Sequence, residues 1–461
     1  MLSGQSSHAQ NGFYNPLWGH RADPFITYQN GSYYFMSTNP QNLLTVTASS
    51  SIQGLPYANE VNVYNSGPLE APDLSYFSDQ GHWYIYYTST SAGTSNQSYV
   101  IESDGGDAQG TYHYKGQICS GCWDLSVFTW IDGSRYVMYT NGGGSLMISA
   151  LSDPWTPSGN AVAIAQRTQS WENSPQGCCI ENPWAVIHNG QLSVLYAANW
   201  YASTGYAEGL LKFNGGNLLD PNSWTKVAGP VFGGSNSSSP GYGAGTAALF
   251  SSPDGTETWF AYHAWPENYF SGDARDIRVQ RVSWNSDNTP NLGSIDPITK
   301  LEPLPSGDPG GSFGPQNAQT FRIANVSSGK CIDQLGSTST FAPIGQWDCR
   351  SSGDPNQQWR LSDQGSRFFG LTSLTSGQCI DDPGGMTASS TKLQQYPCNN
   401  LSPQSWRFTP LGYGQYKLYN QAGGLIFDDP GGSTNNGETQ QLYHDVGAPP
   451  QQWTLQQQQP Y

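Results

Sequence analysis

Four acidic residues recur in one setting. Asp23, Asp73, Asp124 and Glu181 each open a short apolar run, and a turn glycine follows 8, 8, 9 and 9 residues later, at Gly31, Gly81, Gly133 and Gly190. Carboxyl groups repeated in register across similar units converge wherever those units pack around an axis. Brought together they repel, so at least one must hold its proton more tightly than usual. A carboxylate facing a carboxylic acid is the pair that general acid–base catalysis requires. Turn capping is the plain alternative for any one such residue. Four in register, in a chain with only 34 Asp and Glu, favour a shared pocket. With 13% of the chain aromatic, that pocket suits a sugar, whose rings stack on Trp and Tyr while its hydroxyls bond to carboxylates.

The elements that carry these residues repeat. DPFITYQNGSYYFMS from Asp23, PDLSYFSDQGHWYIYYT from Pro72, WDLSVFTWIDGSRYVMYT from Trp123, ENPWAVIHNGQLSVLYAAN from Glu181 and TAALFSSPDGTETWFAYHA from Thr246 share one plan, an apolar run, a turn ending in Gly and an aromatic strand with period-two alternation. Asn-Gly and Asp-Gly between such runs mark β-hairpins. Five hairpins at near-even spacing predict five similar sheets packed radially, a five-bladed β-propeller. A sandwich of the same strands explains the spacing less well.

A second, stricter period follows. Cys331-Ile332-Asp333, Cys379-Ile380-Asp381 and Ile426-Phe427-Asp428 correspond, as do Trp347, Tyr396 and Tyr443 and the Gln-x-Trp endings at Trp359, Trp406 and Trp453, each 47 residues from the last. Three units too small to bury a core alone predict a threefold β-trefoil. The chain thus reads as all-β, with a propeller over 1–302, a Gly/Pro linker over 303–317 and a trefoil over 318–461. The trefoil supplies none of the in-register carboxylates, so cutting near Gly310 is expected to spare activity on small substrates.

Composition excludes several classes. At 461 residues the chain is too long for a single core. A net charge of −16 repels nucleic-acid phosphates and anionic membranes, and neither is expected as a partner. There is no apolar run of membrane-spanning length and no signal-peptide pattern, so the sequence reads as a soluble, already trimmed chain. Eight cysteines, four of them at matched spacings, suit disulfides and a secreted, extracellular protein. Cys119, Cys122, Cys178 and Cys179 favour disulfides over zinc, with connectivity open. Sequons at Asn30, Asn96, Asn236, Asn325 and Asn400 agree with secretion as a glycoprotein.

Arg21-Ala22-Asp23-Pro24-Phe25, Glu70-Ala71-Pro72-Asp73-Leu74, Trp123-Asp124-Leu125-Ser126-Val127-Phe128 and Glu181-Asn182-Pro183-Trp184 together resemble glycoside hydrolase family 43, whose five-bladed propeller enzymes invert the anomeric centre. The resemblance covers about residues 15–300, includes Leu218 to Lys226 and Pro230-Val231-Phe232, and points to the exo-acting α-L-arabinofuranosidase branch. It implies Asp23 as general base, Glu181 as general acid and Asp124 as the group that orients Glu181 and adjusts its proton affinity. An inverting pair stands roughly 6.5 to 9.5 Å apart. Arg278 matches an arginine that contacts the terminal sugar. Asp73 has no catalytic counterpart and is assigned to hydroxyl binding or structure. Where the family carries an axial histidine, often at a metal, Gly241-Tyr242-Gly243-Ala244-Gly245-Thr246 offers Ala244, so no metal is expected, and His263 reads as a core residue.

Residues 318–461 resemble ricin-B-type carbohydrate-binding modules. The resemblance implies sugar contacts from Asp333, Trp347, Asn356 and Gln357 in the first repeat, Asp381, Gln394 and Tyr396 in the second, and Asp428, Gln441 and Tyr443 in the third. Ile426 and Asp445 replace the third cysteine pair. The Gln-x-Trp tryptophans are assigned to packing. The expectation is therefore a monomeric, inverting exo-α-L-arabinofuranosidase acting on plant polysaccharide or oligosaccharide without a cofactor. β-Xylosidase, exo-β-1,3-galactanase and a non-catalytic two-domain lectin are the competing readings. No phosphate-binding or dinucleotide loop occurs in the expected context.

Overall fold

Period-two alternation dictates strands. In the computed structural model of the protein, which describes residues 12–39, 41–90, 96–234, 241–350 and 353–458, strands and short 3-10 turns form the described regular structure. Ala22–Gln29, Ser32–Thr38, Leu44–Ser49 and Glu60–Tyr64 make the first propeller blade. Leu69–Phe77, His82–Ser89, Gln97–Ser103 and Tyr112–Ser120 make the second. The third comprises Cys122–Thr129, Arg135–Asn141, Ser145–Asp153 and Thr156–Gln166. The fourth starts with Ile180–His188, Gln191–Ala198 and Ala207–Phe213, and the fifth holds Tyr242–Ser251, Thr258–Trp265 and Asp276–Arg281. The hairpin signals fold as read: Asn30-Gly31 and Asn189-Gly190 both take positive φ at the two turn positions, the geometry that matches strand twist.

The fifth blade borrows its outer edge from the start of the chain. Leu17 N–H donates to the Ile277 carbonyl and Ile277 N–H to the Trp18 carbonyl, each at 2.8 Å. The Asn15 amide extends the ladder by bonding both the N–H and the carbonyl of Val279 at 2.9 Å. This edge leads directly into the strand that begins at Ala22, so ring closure sets the position of Asp23.

Beyond residue 318, twelve short strands from Thr320–Asn325 to Trp453–Gln458 form the β-trefoil. Trp359, Trp406 and Trp453 are fully buried in one shared core, and their indole N–H groups donate to the carbonyls of Ile332, Ile380 and Phe427. Their assignment to packing is borne out. The connecting stretch is fastened along its length: Ile52 N–H donates to Asp308, Phe313 stacks on Tyr57, and Arg367 donates to the Phe313 carbonyl. Disulfides join Cys331 to Cys349, Cys379 to Cys398, Cys119 to Cys122 and Cys178 to Cys179. Among the sequons, Asn325 is buried with its amide donating to the Pro450 carbonyl, and Asn236 lies outside the described residues.

Candidate active site

Each of the first four blades opens its inner strand with a β-bulge at the same place. The register skips one residue between Ala22 and Phe25, Glu70 and Asp73, Trp123 and Ser126, and Glu181 and Trp184. The extra residue takes a left-handed backbone in Asp23, Ala71, Asp124 and Asn182, with φ of 51°, 47°, 54° and 50°. Asp and Asn tolerate that region better than most residues, and bulges re-aim side chains next to sites. True equivalence therefore runs Asp23, Ala71, Asp124, Asn182. Glu70 and Glu181 stand one position earlier, and their longer side chains reach towards the same centre.

A bulge opens the ladder and leaves amides that need acceptors. Side chains of the preceding blade provide them. Ala71 N–H donates to Thr38 Oγ1 at 2.8 Å, Asp124 N–H to Thr88 Oγ1 at 3.3 Å, and Asn182 N–H to Asp124 Oδ2 at 3.2 Å. Across the closure, Asp23 N–H donates to His263 Nδ1 at 3.2 Å. The ring of bulges is thus held by one repeated contact, which orients the carboxylates it carries.

Asp23 is held ionised. Burial opposes its charge, but His263, the Arg275 guanidinium 3.8 Å away and the Thr38 hydroxyl at 2.6 Å outweigh it and bring its pKa down to about 2. Burial and the Arg275 charge lower the proton affinity of His263, while Asp23 raises it. Arg275 is accordingly the balancing cation. Glu181 is pushed the other way, to about 7, by burial and by the charge of Asp23, against hydrogen bonds from Tyr206 and Trp123. Burial, with the charges of Glu181, Asp23 and Glu70, raises Asp124 as well, and Glu70 rises to about 7 through burial and Asp23. One carboxylate is kept charged beside three carboxyls inclined to keep protons. That division permits one group to accept a proton while another donates one.

The Tyr206 hydroxyl lies 2.8 Å from Glu181 Oε1 and 2.9 Å from Thr246 Oγ1. Since that hydrogen bond favours the charged carboxylate, Tyr206→Phe should raise the affinity of Glu181 for its proton. The basic limb of kcat/KM is expected to move to higher pH while turnover falls roughly tenfold. A pH–rate series on the variant checks both.

The structure brings Asp23, Asp124 and Glu181 together and sets the other sequence-selected residues elsewhere. Asp73 sits past the bulge, between blades, accepting from Val127 N–H and the Ser75 hydroxyl. Arg278 is buried beside Tyr262 on the side facing the trefoil. Arg275, the residue just before the strand of Arg278 begins, is the arginine that meets Asp23. Glu70, Arg275, Tyr206 and Thr38 were not selected. Glu70 reaches the site through a bulge that leaves no mark in the alternation, Arg275 lies just before its strand, and the Thr38 and Tyr206 contacts have no sequence signal.

In the trefoil, Gln357, Gln404 and Gln451 each bond the aspartate of their repeat, Asp333, Asp381 and Asp428. Gln357 is therefore a buried strut. Asp333 is also fully enclosed, accepting from Leu335 N–H at 2.7 Å. Asn356 takes the Gln334 amide and the Thr375 hydroxyl, while Trp347 is 37% exposed. In the second and third repeats Gln394 and Gln441 bond Asp381 and Asp428, each at 2.8 Å. Tyr396 packs near Phe341, and Tyr443 is half-buried.

The chain matches glycosyl hydrolases family 43 over residues 13–290 and the ricin-type beta-trefoil lectin domain over residues 319–453. It is 32% identical over 308 residues to an extracellular exo-alpha-(1->5)-L-arabinofuranosidase of Streptomyces avermitilis, covering 61% of this chain and 63% of that protein. Alpha-L-arabinofuranosidase B of Pyricularia oryzae is 31% identical over 308 residues, covering 60% of this chain and 62% of its own length. The chain thus spans a little under two thirds of these relatives. Among solved structures, an alpha-L-arabinofuranosidase from Lactobacillus brevis superposes with a TM-score of 0.58 at 27% identity, covering 62% of this chain and 98% of that one.

Proposed function

The chain belongs to glycosyl hydrolases family 43, and from that premise we propose that it is an inverting, exo-acting hydrolase releasing terminal α-L-arabinofuranose from plant cell-wall polysaccharide such as arabinan. The observation that carries the hydrolase reading is the ring of bulges that gathers Asp23, Asp124 and Glu181, with Asp23 held ionised and Glu181 inclined to keep its proton, and the choice of sugar is supported by the arabinofuranosidase relatives. In the proposed mechanism Asp23 accepts a proton from water as that water attacks the anomeric carbon. Glu181 protonates the departing glycosidic oxygen, and Asp124 orients Glu181 and keeps its proton in place. Arg275 stabilises the charged base. Residues 1–302 would do the chemistry and 318–461 hold polysaccharide, with 303–317 between them. The names of the arabinofuranosidases from Streptomyces support an extracellular location.

Proton NMR of the first-formed sugar should show inversion, and a retained anomer would contradict the assignment of Asp23 as base. A panel of 4-nitrophenyl α-L-arabinofuranoside, β-D-xyloside and β-D-galactoside should turn over on the first, whereas preference for another would move the substrate and inactivity on all would support a lectin. kcat/KM is expected to fall as pH rises through about 7, when the Glu181–Asp124 pair loses the catalytic proton. Asp23, ionised down to about 2, should leave the acid side flat well below the usual carboxylate range.

A further inference from the structure

Asp445 stands where the first two trefoil repeats have Cys349 and Cys398, and Ile426 stands where they have Cys331 and Cys379. Without a disulfide partner, the Asp445 side chain meets the propeller. Its Oδ1 lies 2.9 Å from His20 Nε2 and its Oδ2 lies 2.6 Å from Lys417 Nζ. Lys417 also reaches Asp276 Oδ1 at 2.6 Å, and that oxygen accepts the His20 backbone N–H at 3.3 Å. All four side chains are buried.

The two propeller segments gripped in this way are those that deliver the charged centre. His20 precedes Asp23 by three residues, Asp276 follows Arg275 directly, and Arg21 N–H donates to the Arg275 carbonyl at 2.9 Å. The loop before Asp276 is pinned from the same side. Glu267 accepts from Asp445 N–H at 2.9 Å and meets His444 Nδ1 at 2.8 Å, and His444 stacks on Tyr269 at 4.2 Å. A side chain at Gly19 would strike Leu411 and Lys417, and one at Gly272 would strike the Val446 carbonyl. Charges buried away from water tolerate few alternative arrangements, because each unpaired ion is costly.

We propose that Asp445 and Lys417 of the third trefoil repeat are positioning residues for the reaction, clamping the two segments that set Asp23 and Arg275 against each other. The inference rests on the reading of Asp23 as base. It reverses the expectation that the trefoil is dispensable on small substrates.

The test uses the full chain with 4-nitrophenyl α-L-arabinofuranoside. Asp445→Asn and Lys417→Met each break the clamp, and the double variant Ile426→Cys/Asp445→Cys breaks it while rebuilding the disulfide of the other repeats. All three should lose roughly ten- to hundredfold in kcat with little change in KM. The acid limb of kcat/KM should also move to higher pH. Asp23 faces Arg275, His263, Thr38, Glu70, Asp124 and Glu181, and of these only Arg275 is a loosened cation. If the disulfide variant folds with the kcat and acid limb of the parent, the clamp is overturned. Activity lost only in proportion to folded protein, with the acid limb unmoved, overturns it too. Asp23→Asn assayed alongside separates the two ideas: its being active removes the base assignment, whereas an inactive Asp23→Asn with unaffected clamp variants removes the clamp alone.

Discussion

Asp23→Asn should lower turnover of an arabino-oligosaccharide by roughly a thousandfold or more and leave the fold intact. The amide cannot take the proton of the attacking water, and a positioned general base is worth about 10²–10⁴ in rate. Asparagine accepts the left-handed backbone found here, with φ of 51°, and its carbonyl can still accept from the Thr38 hydroxyl. Thermal melting and circular dichroism should therefore resemble the parent while kcat collapses. Near-parental turnover in a folded variant would remove Asp23 from the mechanism.

For Glu181→Gln the size of the loss should depend on the leaving group. A sugar alkoxide leaves poorly without a proton, so natural oligosaccharide should suffer roughly 10²–10⁴-fold. A 2,4-dinitrophenolate leaves without protonation, and its arabinofuranoside should be cleaved within about tenfold of the parent rate. The basic limb near 7 should vanish from the pH profile of the activated substrate, since its cleavage no longer depends on a proton from Glu181. Equal losses on both substrates would mean that Glu181 serves a purpose other than proton donation.

The grouping of Asp23, Asp124 and Glu181 was legible because acidic residues recur near one register of the repeat. Counting residues to the turn glycine nevertheless misaligned the second and fourth blades. Asp73 shares the count of Asp23, but the bulge between Glu70 and Asp73 puts Asp73 beyond the site and Glu70 within reach of it. A bulge adds a residue without any mark in hydrophobic alternation, so a period-two reading cannot detect it. Arg275 carries no strand signal, because it precedes the strand on which Arg278 lies. In the trefoil the core was legible, since Trp359, Trp406 and Trp453 pack alike in all three repeats. What no single repeat could reveal was the use of Asp445. Its departure from the cysteine pattern registers in sequence as a missing disulfide, and its partner His20 lies 425 residues away.

The pairing of Asn15 with Val279, across 264 residues, ties the appearance of the candidate site to the order in which the chain is made. Asp23 is synthesised long before Asp276–Arg281, and the edge that aims it has no partner until that strand has followed. Closing so long a loop is entropically slow and comes after the local hairpins have formed. A nascent chain that has not reached Asp276 therefore lacks the joint that aims Asp23, and on the proposed function activity should appear only once that joint forms. Recovery of activity during refolding would then time that joint, whereas fluorescence from the interior tryptophans would time the blades.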